Sequence, residues 1–146
     1  MAAFKLGAFA VIVDGQGRVL LCHRTDVDMW NLPGGAVDEG EAPWEAVVRE
    51  AREETGLEVR IEQLAIVDHR PGKGEVVFTF TCAITGGTLA TSNESDQLDW
   101  FAPEALPPIT AARHVERIAP IVASVALPLL RTQHGPSSAT ELPPRA

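Results

Sequence analysis

Residues 35–57 read GAVDEGEAPWEAVVREAREETGL, and this stretch decides which fold the chain can adopt. Three acidic residues in it, Glu50, Glu53 and Glu54, are spaced so that their side chains share one face of a helix. Carboxylates on one face repel one another unless a cation neutralises them. Magnesium and manganese prefer carboxylate oxygens, so the stretch predicts a metal site suited to phosphate chemistry.

The same stretch carries signals for both ends of that helix. Pro43 suits the first helical turn, and Gly56 suits the position just after the last turn. A less polar stripe with 4-3-4 spacing is predicted to pack on a sheet, and it consists of Trp44, Val48, Ala51 and Thr55.

The glycines and charged residues around the helix together resemble the signature of the Nudix hydrolases. The matching positions are Gly35, Glu41, Arg49, Glu50, Glu53, Glu54 and Gly56, with the aliphatic Leu57 after them. Ala51 departs from the pattern, because a larger aliphatic residue is usual there; that position faces the core, so the departure concerns packing. A solvated acidic helix paired to Arg49 and Arg52 would explain the charge but not the flanking glycines.

Outside this stretch, apolar and β-prone segments alternate with turns. Strands are predicted at 4–13, 18–24, 57–68 (as one or two strands), 75–84 and 98–101, with the first two forming a hairpin about a turn at 14–17. Residues 25–34 are predicted as a loop, 103–106 as a helical turn and 111–125 as a helix broken or kinked at Pro120. This order indicates an α/β sandwich with a mixed sheet between helices. The resemblance, which covers roughly residues 4–125, implies the Nudix fold.

The resemblance also implies site residues and a reaction. It implies hydrolysis of a pyrophosphate linkage in a nucleotide, with Mg²⁺ or Mn²⁺ as the cofactor. The expected metal ligands are the main-chain carbonyl of Gly35 and the carboxylates of Glu50, Glu53, Glu54 and Glu94. Glu94 comes from an acidic loop, TSNESDQLDW at 91–100, and a solvent-facing loop is the competing interpretation. Arg49 is expected to orient a neighbouring carboxylate.

Several roles stay open at this level. The general base is either Glu50 or Glu94. Arg24 is a candidate for holding a phosphate, and a surface arginine is the alternative. His23 and His69 have no partner spacing that indicates a site. Trp30 is assigned to the core or to a lid on the helix.

The substrate signals are weak. Pro71 lies fifteen residues after Gly56, as a proline does in the ADP-ribose branch of the family, and the chain has no tyrosine, which counts against the dinucleoside polyphosphate branch. Oxidised nucleoside triphosphates remain an alternative substrate. Other classes are a non-catalytic nucleotide-binding module, an isoprenoid diphosphate isomerase, which would need a catalytic cysteine in its own motif, and an acidic domain that contacts a protein through residues 118–130.

Length, charge and composition limit the number of domains and the kinds of partner that the chain can have. The chain has 146 residues, a net charge of −8 and 45% apolar residues, which fits one domain at 1–132 followed by a flexible tail at 133–146. Without a basic block it is not expected to bind a nucleic-acid polymer. The apolar run 118–130 is too short to span a bilayer, and a cytoplasmic protein is expected; that run is also a possible homodimer contact. Cys22 and Cys82 are expected to be buried, reduced thiols.

Overall fold

The structure is a computed structural model that describes residues 1–134. Within that range the strands are β1 (Lys5–Ile12), β2 (Val19–Arg24), β3 (Trp30–Asn31), β4 (Gly34–Ala36), β5 (Leu57–Arg70), β6 (Glu75–Gly87), β7 (Ser95–Phe101) and β8 (Leu129–Thr132). The helices are α1 (Pro43–Thr55) and α2 (Ala112–Val122), and short 3-10 turns lie at Pro71–Lys73 and Pro103–Ala105.

The strands form two sheets. The larger sheet has the order β4-β1-β6-β5-β8, with parallel pairing of β1 to β6 and of β5 to β8 and antiparallel pairing elsewhere. The smaller sheet is antiparallel and has the order β3-β2-β7. Helix α1 packs against β1, β4 and β5, and α2 contributes Ile118 to a second core cluster. The prediction of an α/β sandwich with a mixed sheet is confirmed.

The predicted hairpin of the first two strands is wrong beyond its turn. The turn itself forms, since the N–H of Asp14 donates to the carbonyl of Arg18 at 2.9 Å and Gly17 has a φ of 75°. Past the isolated bridge between Val13 and Val19, the two strands enter different sheets. They diverge because β4 and β6 already occupy both edges of β1.

Other elements also differ in their bounds from the prediction. Residues 57–70 form a single strand, one of the two alternatives that the sequence left open, and it extends two residues further than predicted, with irregular register against β6. Helix α2 passes through Pro120 and ends at Val122. The apolar run at 118–130 divides between α2, a connection and β8, a short strand that the sequence did not predict. Its residues diverge in exposure, since Ile118 is buried in the core and Leu130 is 78% exposed.

The apolar stripe predicted for α1 is partly wrong. Ala51 and Thr55 are buried as expected, but Trp44 is 59% exposed. The buried face instead runs through Ala46, Val47, Ala51 and the two glutamates Glu50 and Glu54. The helix is therefore rotated so that carboxylates, and not the tryptophan, approach the sheet. The Ala51 side chain sits in the main core cluster, so a larger residue there would require repacking.

The remaining expectations concern cysteines, membranes and the tail. Cys22 and Cys82 are buried and free, as predicted. No helix within residues 1–134 is long and apolar enough to cross a membrane. Gln133 opens the predicted tail, yet it is buried and its N–H donates to the carbonyl of His69 at 2.9 Å. The rest of that tail, residues 135–146, lies outside the described residues.

Candidate active site

A cleft of about 1020 Å³ opens where the β4 loop passes between α1 and the strands β1 and β2. The loop at 34–41 forms one wall, and the N-terminal half of β1 forms another. Helix α2 closes the far side with Arg113, His114 and Arg117. Glu54 and Glu94 line the end nearest α1. Carboxylates and guanidinium groups therefore both line the cleft.

Three carboxylates meet at the end of the cleft nearest α1 and are called the acidic cluster: Glu50, Glu54 and Glu94. One oxygen from each lies within 4.8 Å of the other two. Glu50 and Glu54 lie one turn apart on the buried face of α1 and are 9% and 8% exposed. Glu94 reaches them from the exposed loop before β7. The structure thus brings together three of the four carboxylates that the sequence proposed as ligands.

The acidic cluster raises the pKa of its own members. Burial, and the charges of Glu50 and Glu94, raise the pKa of Glu54 to about 9, although a hydrogen bond from the Gly34 N–H opposes the shift. Burial also raises the pKa of Glu50, and the charges of Glu94 and Glu53 add to the effect. Without a cation the site therefore retains a proton, because two buried carboxylates cannot both ionise at low cost.

Two glycines allow the β4 loop to approach these carboxylates. A Cβ on Gly35 would lie 2.9 Å from Oε1 of Glu50, which is closer than real Cβ contacts allow. Gly34 has a φ of 148° and packs against the backbone of Ala8, so only glycine fits there without strain. The Gly34 N–H donates to Oε2 of Glu54 at 3.1 Å. The backbone at Gly34 and Gly35 therefore lies against two members of the acidic cluster, Glu54 and Glu50.

Arg49 and Glu53 lie beside the cluster. The guanidinium of Arg49 donates to Glu41 at 2.7 and 3.0 Å, to Oε1 of Glu50 at 3.2 Å and to Oε2 of Glu53 at 3.0 Å. The hydrogen bond to Glu41, together with the negative charges of Glu50 and Asp38, raises the pKa of Arg49 although burial opposes the shift, so it stays cationic. The Glu53 side chain is 57% exposed, and its oxygens are not among the mutually close atoms found within residues 1–134.

The two residues proposed for substrate contact differ in position. Arg24 lines the cleft and forms an ion pair with Asp26, which also lines it. Pro71 is exposed on a 3-10 turn and is absent from the cleft wall. Cys22 also lines the cleft, but burial raises the pKa of its thiol above the usual range, so it is not a thiolate at neutral pH.

Sequence reasoning missed three buried arginines in the cleft. Arg70, Arg113 and Arg117 line it and are at most 5% exposed. Burial lowers the pKa of Arg117 to about 10, although the Asp68 carboxylate at 3.7 Å opposes the shift. Arg113 and Arg117 have i,i+4 spacing on the predicted helix, and this spacing could have indicated that the two arginines share one helix face. Nothing local in the sequence shows that this face of α2 is buried.

Sequence reasoning also gave His23 no role. The ring of His23 is 2% exposed, and its nitrogens lie 2.7 Å from Asp28 and 2.8 Å from Asp96. Trp30 packs edge-on against this ring and against Phe101, which confirms its assignment to the core.

Comparison with known proteins agrees with this arrangement. The family model described as the NUDIX domain matches residues 3–125. The chain is 38% identical over 94 residues to a MutT-like protein of Streptomyces ambofaciens, covering 64% of this chain and 61% of that protein. It is 38% identical over 105 residues to the human 8-oxo-dGDP phosphatase NUDT18, covering 67% of this chain and 32% of that protein.

The fold also resembles that of a solved NUDIX hydrolase. A crystal structure of a NUDIX hydrolase from Nitrosomonas europaea superposes with a TM-score of 0.82 at 20% identity, over 92% of this chain and 81% of that one. With the family model spanning most of the described residues, the chain belongs to the Nudix (MutT-like) family of hydrolases.

Proposed function

We propose that this pyrophosphohydrolase cleaves a pyrophosphate linkage in a nucleotide, with water as the nucleophile and Mg²⁺ or Mn²⁺ held by the acidic cluster. The observation that carries the proposal is the convergence of oxygens from Glu50, Glu54 and Glu94 within 4.8 Å at one end of a cleft. The cleft is large enough for a nucleotide.

The donor set fits a hard divalent cation. Carboxylate and carbonyl oxygens are what Mg²⁺ and Mn²⁺ bind, and Mg²⁺ retains waters, so a few protein ligands suffice. The raised pKa of Glu54 also fits a cation site, because it reflects negative charges that lie close together without a positive partner. A bound cation would supply that positive charge. Glu50, Glu54, Glu94 and the carbonyl of Gly35 would hold the metal. When bound, it would neutralise phosphate charge and acidify a water.

The remaining groups orient the site and move a proton. Glu53 lies at the rim, where rotation of its exposed side chain away from Arg49 would add a further carboxylate. Glu50 or Glu94 accepts the proton of the attacking water, and both belong to the acidic cluster. Arg49 keeps Glu50 oriented through the hydrogen bond described above. Arg24, on the cleft wall, contacts a substrate phosphate.

Two substrate types are proposed. The first is a nucleoside diphosphate linked to another moiety, as in ADP-ribose. Pro71 favoured this substrate in the sequence, but it lies outside the cleft wall and therefore no longer supports it. The second is an oxidised purine deoxynucleotide, and the relative named as an 8-oxo-dGDP phosphatase favours it. Both present a pyrophosphate to the same metal site. A non-catalytic binding module is disfavoured, because Glu50, Glu53 and Glu54 of the family signature are all present.

The test is a substrate panel with a matched active-site variant. ADP-ribose, a sugar nucleotide, a dinucleotide, dGTP, 8-oxo-dGTP and 8-oxo-dGDP are each incubated with Mg²⁺, with Mn²⁺ and with EDTA, and the products are separated by chromatography. We expect a nucleoside monophosphate from at least one member, only with metal. The Glu54→Gln variant should release it about 100-fold more slowly, or slower still. Turnover in EDTA, equal turnover by Glu54→Gln, or no turnover of any member would overturn the proposal.

A further inference from the structure

Glu94 is the only member of the acidic cluster that does not come from α1, and the segment that carries it has its own anchor points. The N–H and Oγ1 of Thr25 donate to the carbonyls of Glu94 and Asn93 at 3.2 and 2.9 Å. The hydroxyl of Ser92 accepts from the N–H of Glu94 at 3.2 Å. The loop is thus fixed by the end of β2 as well as by its own turn.

A buried histidine also contacts that segment. His23 lies on β2, paired with Gln97 of β7, and its side chain points to the opposite face from those of Cys22 and Arg24, which line the cleft. Its Nδ1 atom lies 2.8 Å from Oδ1 of Asp96, two residues after Glu94. Its Nε2 atom lies 2.7 Å from Oδ1 of Asp28, in the loop after β2.

We infer that His23 is a positioning residue for the metal site, which holds the Glu94 segment in place through Asp96. The inference builds on the proposed function, because it takes Glu94 as a metal ligand. A register irregularity between His23 and Arg24 interrupts the pairing of β2 with β7 at this point. Asp96 lies at this irregularity, because Ser95 and Gln97 on either side of it are the paired residues. Its contact with His23 therefore adds a side-chain constraint to the backbone hydrogen bond that Thr25 donates to Glu94.

The contacts of His23 with Asp96 and with Asp28 allow its positioning role to be tested apart from its contribution to stability. An asparagine amide nitrogen occupies roughly the position of histidine Nδ1, and a glutamine amide nitrogen that of Nε2. His23→Asn therefore retains a donor toward Asp96, while His23→Gln retains a donor toward Asp28. Both variants lose a similar amount of buried packing, so both should lose stability. Only the glutamine variant loses the contact with Asp96 on the segment that carries Glu94.

The experiment measures Mn²⁺ binding without nucleotide, by electron paramagnetic resonance or calorimetry, on folded full-length protein. We expect His23→Gln to raise the Kd for Mn²⁺ about tenfold, as for other groups that orient metal ligands, and His23→Asn to stay near the wild-type value. In a Glu94→Gln background, His23→Gln should cause no further loss, because the residue it positions no longer binds.

Should a His23 variant fail to fold, Asp96→Ala and Asp28→Ala form a second pair that leaves the buried ring in place. Asp96→Ala should weaken Mn²⁺ binding and Asp28→Ala should not. Equal Mn²⁺ affinity of the Asn and Gln variants, or of the two Ala variants, would overturn the inference alone. Unchanged Mn²⁺ affinity in Glu94→Gln would instead overturn the metal site, and with it the inference.

Discussion

Oε2 of Glu54 accepts a hydrogen bond of 3.1 Å from the backbone N–H of Gly34. This contact joins the last turn of α1 to the loop that closes the cleft. It also orients a carboxylate that is buried among other acids. One backbone donor is not enough to ionise that carboxylate, because burial and its acidic neighbours raise the pKa to about 9.

Replacing Glu54 by glutamine should therefore separate activity from stability. Glu54→Gln removes a proposed ligand and should lower metal-dependent hydrolysis about 100-fold or more. Its free energy of unfolding at pH 7 should not fall, because the amide removes a buried ionisable group and keeps an acceptor for the Gly34 N–H. Chemical denaturation and product assays on one preparation check both. A large loss of stability would contradict the interpretation.

Glu53→Gln is the companion prediction for the exposed position. Its side chain is 57% exposed, so the free energy of unfolding should change by less than about 0.5 kcal/mol. If Glu53 turns from Arg49 to the metal, kcat should fall by roughly 100-fold while the fold stays intact. Wild-type-like turnover in this variant would remove Glu53 from the catalytic residues and leave the buried cluster as the site.

Gly35→Ala should weaken metal binding by steric displacement. The added Cβ would lie 2.9 Å from Oε1 of Glu50 and would push that side chain away from the cluster. We expect the Kd for Mn²⁺ to rise about tenfold. Gly15→Ala is the matched control, since no atom lies within 4 Å of its Cβ position. Similar Mn²⁺ affinities in the two variants would show that the close approach of Gly35 is unimportant.

The pKa of Glu54 gives the metal-free protein a defined pH dependence. In the folded state Glu54 holds its proton up to about pH 9, whereas in the unfolded chain it releases it near 4.5. Its contribution to stability is therefore complete below pH 4.5 and declines as the pH rises toward 9. Urea unfolding in EDTA across this range should show the decline, and Glu54→Gln should flatten it. Saturating Mg²⁺ should remove it.

His114 predicts a loss of stability on the acidic side. The buried ring accepts a hydrogen bond of 3.0 Å from the Leu32 N–H at Nδ1, and it is surrounded by arginines. Burial, followed by the charges of Arg117 and Arg113, lowers the pKa of His114 well below its usual value of 6.5. The unfolded chain takes up this proton as the pH falls below 6.5 and the folded chain does not, so stability falls.

The matched variant for this effect is His114→Asn, whose amide oxygen can accept from the Leu32 N–H without titrating. Its stability at pH 7 should be lower because packing is lost. Between pH 7 and pH 5, however, its free energy of unfolding should fall less steeply than that of the wild type. Identical slopes for the two proteins would exclude His114 as the titrating group.

Local signals in the chain predicted a large part of this arrangement. Pro43 and Gly56 bracket α1, and Gly56 has the left-handed φ of 77° that a helix stop requires. The buried, free state of the two cysteines followed from their apolar surroundings. The hairpin and β8 were mispredicted because pairing partners are chosen across the whole sheet, where competition for the edges of β1 and β5 is invisible to a local pattern.

By itself, the sequence specified the family and a hydrolase, because the spacing of the acids and glycines on and around α1 is local. Only the tertiary structure decided which acids meet. A helix turns 100° per residue, so Glu54 lies 40° from Glu50 on the buried face while Glu53 falls outside it. Glu94 joins from forty residues further on, and His23 anchors its segment, because β2 and β7 are paired neighbours in space.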